Sequence, residues 1–150
     1  MLRKTKEYYN DSLRMNYGDP IGASLSEISD IESTIKNRLP ISLKEYLSWG
    51  GKHGNGPLIG TDCFISDIID NTEYLPEFLK LNGLTNPKGD AYIVFYSHQG
   101  YVLAWIYLDG SENPEVYYFA EGTTEKIETV ISIDEWFYQD LAGLYNGENC

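Results

Sequence analysis

Tyr92-Ile93-Val94-Phe95-Tyr96-Ser97-His98-Gln99-Gly100-Tyr101-Val102-Leu103-Ala104-Trp105-Ile106-Tyr107-Leu108 is the stretch whose reading sets the architecture. Two runs of β-branched and aromatic residues, Tyr92–His98 and Tyr101–Leu108, flank Gln99-Gly100, a two-residue hairpin signal. With that dipeptide as the loop, His98 faces Tyr101, Tyr96 faces Leu103, Val94 faces Trp105 and Tyr92 faces Tyr107. Directly opposed residues share a face of the sheet. One face then holds Tyr92, Val94, Tyr96, His98, Tyr101, Leu103, Trp105 and Tyr107. The other holds Ile93, Phe95, Ser97, Val102, Ala104 and Ile106, a plain aliphatic core. The first face has apolar bodies with polar tips, which suits either the underside of a covering helix or a binding surface.

Downstream, Glu115–Phe119 reads as a third strand and Lys126–Val130 as a short fourth. Ser132 with Glu135 caps a last helix that turns Ile133, Phe137, Leu141 and Leu144 inward. Upstream, Ser24 with Glu27 forms a capping box. Leu25, Ile28, Ile31, Ile35 and Leu39 follow at helical spacing until Pro40. A second box, Ser42 with Glu45, opens a short helix with Leu43, Tyr46 and Leu47 on one face, stopped by Gly50-Gly51. A short extended piece near Leu58–Phe64 leads to a helix from Ser66, broken near Pro76. Helices, then a meander, then a helix describe an α+β domain. A weak helical stripe, Leu2, Tyr9, Leu13 and Tyr17, precedes the turn-rich Gly18–Gly22. Residues 1–23 therefore read as an N-terminal extension or loosely docked helix, and 24–150 as a single domain.

The chain has 150 residues and a net charge of −12, and the charge is uneven. Residues 101–150 set Lys126 against ten carboxylates, among them Asp109, Glu112, Glu115, Glu121, Glu125 and Glu128. Such a surface repels phosphate backbones, which argues against nucleic acid, and draws in a basic protein. No apolar run approaches the roughly 20 residues of a membrane helix, and the basic start lacks the apolar core of a signal peptide. Cys63 and Cys150 form no framework or metal spacing, as expected of thiols in a reducing cytoplasm.

Patterns that could carry catalysis are incomplete. Gly51-Lys52-His53-Gly54-Asn55-Gly56 has His53 where a phosphate loop needs Ser or Thr, and Pro57 where a dinucleotide fold would start its helix. His53 and His98 lie in different loops with no third ligand. Gly22-Ala23-Ser24-Leu25-Ser26 lacks the second glycine of a nucleophile elbow. Asp109-Gly110-Ser111-Glu112 places its glycine too early for a calcium loop. The expectation is a non-enzyme with no cofactor and no metal.

One family pattern emerges from the order of short motifs. Leu39-Pro40, Leu43, Tyr46-Leu47 and Gly50-Gly51, then Asp90–Phe95, Gly100, Pro114–Tyr118, and the closing Ser132, Trp136 and Phe137 together resemble the SUKH superfamily, which includes Smi/Knr-like regulators of yeast cell-wall assembly. Trp49 stands where that pattern has Asn. The resemblance implies an α+β fold with a mixed, largely antiparallel sheet packed against helices. In bacteria it implies a cytoplasmic immunity protein that neutralises a cognate polymorphic or contact-dependent toxin, often a nuclease. The partner is expected to be a basic toxin domain, held by Asp109, Glu112, Glu115, Glu121, Glu125 and Glu128 with Tyr117 or Trp105 as anchors. A regulatory scaffold or a small-molecule-binding domain are the alternatives.

Overall fold

The computed structural model describes residues 1–52 and 63–143. His53, the glycines of the 54–56 stretch, Leu144 and Cys150 lie outside the described residues, as does most of the extended piece expected near 58–64.

Four antiparallel strands, β1 (Tyr92–His98), β2 (Val102–Tyr107), β3 (Val116–Ala120) and β4 (Glu128–Val130), form a meander in the order β1-β2-β3-β4. The hairpin is as expected at its far end, where Tyr92 pairs with Tyr107 and Val94 with Trp105. A bulge between Val94 and Tyr96 then shifts the register. Tyr96 pairs with Ala104, Ser97 with Leu103 and His98 with Val102. One extra residue turns every later side chain to the opposite face. Tyr96 and His98 therefore leave the tyrosine face and Ser97 joins it, opposite to the simple two-residue alignment. The loop is one residue longer than expected, since His98 pairs with Val102 and Tyr101 joins the turn, but Gln99 (φ 51°) and Gly100 (φ 79°) still take the positive φ expected of that dipeptide.

Helices cover both faces. Helix α5 (Ile68–Leu81), led in by a 3₁₀ turn at Ile65–Asp67, lays Leu75, Phe78 and Leu79 on Val94, Leu103, Trp105, Tyr107 and Phe119. The tyrosine-bearing face is thus the underside of a helix. Pro76 sits inside α5 without ending it. The lost ladder bond costs about 3 kcal/mol, while each of three large buried side chains contributes about 1.5–3 kcal/mol. The Thr72 hydroxyl of the same helix accepts the Val94 N–H at 2.9 Å, occupying the edge of β1.

The opposite face carries α3 (Leu25–Ile35), α4 (Ile41–Gly50) and α6 (Ile133–Leu141). Trp136 and Phe137 pack on Phe95 and Tyr96, and Tyr46 stacks on Phe137 at 4.0 Å. The Ser24–Glu27 box forms as expected, and Ser132 caps α6. Leu25, expected inward, is 82% exposed, because it opens the helix before the buried stripe of Ile28 and Ile31 begins. Helix α3 stops at Ile35, with Lys36 left-handed, and Pro40 instead precedes α4.

The start and stop of α4 differ from the local reading. Ser42 is no cap: it lies within the helix, fully buried. Gly51 is not left-handed (φ −80°); a Cβ there would fall 2.7 Å from the Leu47 backbone, so glycine serves close approach.

At the N-terminus, α1 (Arg3–Tyr8) runs through a π turn at Tyr9–Leu13 into α2 (Arg14–Tyr17). Helix α1 packs against α6, with Leu2 and Thr5 fully buried. The extension is docked along its first nine residues, whereas most of residues 10–19 face solvent.

Candidate functional site

The loop between β2 and β3 gathers Asp109, Glu112 and Glu115 at one end of the sheet. Asp109 opens it by accepting the Ser111 N–H at 3.1 Å. That bond, together with Lys88 at 3.4 Å, holds the Asp109 carboxyl below the usual carboxylate range. Glu112 reaches 71 residues back along the chain. Its carboxylate accepts the Ile41 N–H at 3.2 Å and its backbone carbonyl the Ser42 N–H at 3.0 Å. These are two of the N–H groups that a helix start leaves unsatisfied. Glu112 is therefore the cap of α4, the task that the sequence pattern assigns to Ser42. Glu115 is exposed and, among the described residues, has no ion-pair partner.

Beside this loop, Lys88, Tyr107, Asp109, Asn113, Glu115 and Tyr117 line a cleft of about 150 Å³. Tyr107 and Tyr117 meet edge to face at 5.0 Å, and the Lys88 ammonium lies 5.8 Å from the Tyr107 ring. The Tyr107 hydroxyl bonds to the Asn86 side-chain oxygen. Burial pushes that hydroxyl above its usual range. Aromatic walls with two carboxylates at the rim suit a cationic side chain, by ion pairing and by attraction to the ring faces.

Trp105 does not reach this surface. It has no exposed area and lies beside Tyr117, its cross-strand partner on the same face, with ring centroids 6.4 Å apart and planes 26° from parallel. Its expected role as an anchor is corrected: β2 is a central strand under α5, so an inward Trp there belongs to the core. Tyr117, half-buried one strand further out, is the aromatic that remains available.

Glu121 and Glu125 occupy the turn joining β3 and β4, at the other end of the sheet. Thr124 braces that turn, its hydroxyl accepting the Ala120 N–H at 3.0 Å, and the Glu121 N–H donates to the Tyr101 carbonyl at 2.9 Å. At about 3.4 Å per residue, the strand between Glu115 and Glu121 separates them by roughly 20 Å. Glu128 sits on β4 opposite Tyr118, whose hydroxyl is pushed up by burial and then by the Glu128 charge. The six carboxylates thus form two groups, not one patch.

Lys88 and Tyr107 complete the cleft; the hairpin alternation puts Tyr107 on the aromatic face but not at this cleft, and nothing in the sequence pattern points to Lys88. Lys88 lies in a turn with no motif, and the Tyr107–Tyr117 contact depends on the β2–β3 register, in which Trp105 pairs with Tyr117. Among the described residues, no three His, Cys, Asp or Glu side chains converge on a metal-sized site, and no helix is long and apolar enough to cross a membrane.

The profile of the SMI1 / KNR4 family (SUKH-1) matches residues 22–139. The match runs from before α3 into α6 and takes in the whole sheet, so it covers the elements that build the cleft. No curated protein matches the chain.

Proposed function

The chain belongs to the SMI1/KNR4 (SUKH-1) family, and from that membership we propose that it is a cytoplasmic immunity protein that binds and neutralises a cognate bacterial toxin domain without catalysis. The observation that carries this reading beyond the family is the set of unpaired carboxylates around β3. Glu115, Glu121 and Glu125 face solvent, and among the described residues none of them has an ion-pair partner. Carboxylates left unpaired in a folded domain speed the encounter with a basic partner, while a half-buried aromatic such as Tyr117 supplies contact area once it is seated. No cofactor is needed for such a role.

The alternative of a small-molecule domain has less to work with. The tyrosine face is covered by α5, and the cleft at Tyr107 is smaller than the ~300–1,000 Å³ of ordinary ligand sites. Co-expression tests the proposal. A toxin encoded next to this chain should kill cells through its C-terminal domain and be silenced when this chain is present. Absence of rescue, with both proteins expressed, ends the reading.

A further inference from the structure

The groove between α4 and α6 is acidic, aromatic and already filled. Its walls carry Glu45 and Trp49 from α4 and Asp134, Glu135 and Tyr138 from α6. Into it lies the N-terminal segment. Lys6 reaches Glu45 at 2.8 Å and Lys4 reaches Glu135 at 2.6 Å while passing 4.5 Å over the Tyr138 ring. The Asp134 carboxylate accepts the N–H groups of Lys4 and Thr5 at 3.0 and 2.8 Å, capping α1 from across the groove. Tyr8 meets Tyr138 and Tyr9 meets Trp49, both edge to face, and Leu2 is sunk completely. The occupant is thus a short basic helix with two deep apolar anchors, Leu2 and Tyr9.

Three features separate this occupant from the body. It lies outside the family match, which begins at residue 22. It is joined through Gly18-Asp19-Pro20, after which the chain is pinned to α4 by the Ala23 N–H on the Leu47 carbonyl at 2.7 Å. Its ion pairs are partly solvent-exposed, with Lys4 at 42% and Lys6 at 36%, so each contributes little on its own.

We propose that the α4–α6 groove is a receptor for a basic amphipathic helix, that residues 2–9 are its tethered resident, and that a partner helix of the same chemistry binds there by displacing them. The proposal extends the protein-binding reading to a second surface, distinct from the carboxylates around β3. Helix-in-groove recognition of this kind is read through anchors on one helical face, here the buried stripe Leu2, Thr5 and Tyr9, flanked by Lys4 and Tyr8 toward α6 and by Lys6 toward α4.

The test uses the full chain with the resident loosened and a synthetic peptide of residues 1–17 added in trans. Leu2→Asp places a carboxylate where no water reaches, and Lys4→Glu with Lys6→Glu sets like charges against Glu135 and Glu45; either change frees the groove. A resident that fills the groove more than nine-tenths of the time weakens apparent peptide affinity by about tenfold or more. The peptide should therefore bind both variants at least that much more tightly than the wild type, and a peptide carrying the two Lys→Glu changes should lose the advantage on the Leu2→Asp protein. Equal affinity for wild type and folded variants overturns the proposal. So does failure of both variants to fold, which would make the segment an ordinary part of the core. Peptide binding without toxin rescue would instead retain this proposal and sink the immunity reading.

Discussion

The carboxylates of α4 and α6 carry the same charge as those around β3 but meet different surroundings. Glu45, Asp134 and Glu135 are each engaged, by Lys6, by the first amides of α1 and by Lys4. Around β3, Asp109 and Glu112 are engaged, by Lys88 and by the start of α4, whereas Glu115, Glu121 and Glu125 are left to solvent. A carboxylate that satisfies groups of the fold works for the fold, most of all where the partner is buried, as Thr5 is under Asp134, and its loss is read in stability. A carboxylate facing water is neutral for the fold, and its loss is read only in the rate of encounter. Negative charge summed along the sequence mixes the two kinds.

Asp134 gives the largest expected effect on the engaged side. Asp134→Ala removes the acceptor for two N–H groups, one of them fully buried at Thr5. Loss of a cap costs about 1 kcal/mol, and a stranded buried donor adds about 1–3 kcal/mol. Denaturant unfolding should therefore show a loss of about 2–4 kcal/mol, and amide exchange at residues 4 and 5 should accelerate. Asp134→Asn keeps an acceptor and should recover part of both. A mutant as stable as the parent would show that the two regions do not differ as argued.

Glu112 comes next, since it is exposed yet engaged at the start of α4. Glu112→Ala should cost about 1 kcal/mol, the usual value of a cap, in thermal unfolding, whereas Glu115→Ala in the same loop should cost nothing measurable. Equal losses would mean that the loop as a whole, not the cap, stabilises α4.

Acid sharpens the contrast by titration. The Glu135 carboxyl is depressed by its bond to Lys4 and then to Gln139. At Glu45 burial pushes upward and is the largest single influence, but the pairings with Lys6 and with the Met1 amino terminus together outweigh it, so the net shift is also down. A carboxyl lower in the folded than in the unfolded chain stabilises the fold above its unfolded value, near 4.5, and that stability is lost as pH falls through the depressed folded value. Stability measured from pH 7 to 3 should thus fall below about pH 4.5, and the fall should be shallower in a Lys4→Met, Lys6→Met variant. An unchanged acid limb would remove these pairs from the account.

The same distinction explains what could be read from sequence. Ser24–Glu27 and Ser132 were legible because a cap made within three residues leaves its mark in three residues. Glu112 was not, because the group that it caps is 71 positions away and Ser42-Glu45 mimics the local signal. The far end of the hairpin was legible from alternation. The bulge beyond Val94 was not, since it adds one residue without changing the composition, and it moved Tyr96 to the face where its hydroxyl bonds to Asp140 at 3.1 Å. The acidic bias was plain, but its division between structural and free carboxylates depends on tertiary neighbours. Trp105 went astray for the same reason: aromatic character marks both an anchor and a core, and only burial separates them.

The smallest expected effect on stability belongs to the free carboxylates, and it bears most directly on function. Reversal of Glu115 and Glu121 to Lys places charge at both ends of β3 without touching a cap, an ion pair or a buried group. Stability should stay within about 0.5 kcal/mol of wild type, as for surface sites away from such features. Glu112 is unsuitable for this purpose, since its reversal would also strip the start of α4 and confuse folding with docking. With a basic toxin domain as partner, the double reversal should slow association at low ionic strength, because rim charges act mainly on encounter. Above roughly 0.5 M salt, where the screening length is only a few ångströms, the two proteins should associate at the same rate. Dissociation should hardly change, which distinguishes steering from lost contact; Tyr117→Ala, by contrast, should raise the off-rate if that ring is seated in the partner. Identical association rates at low salt would move docking away from β3, leaving the groove between α4 and α6 as the surface to test next.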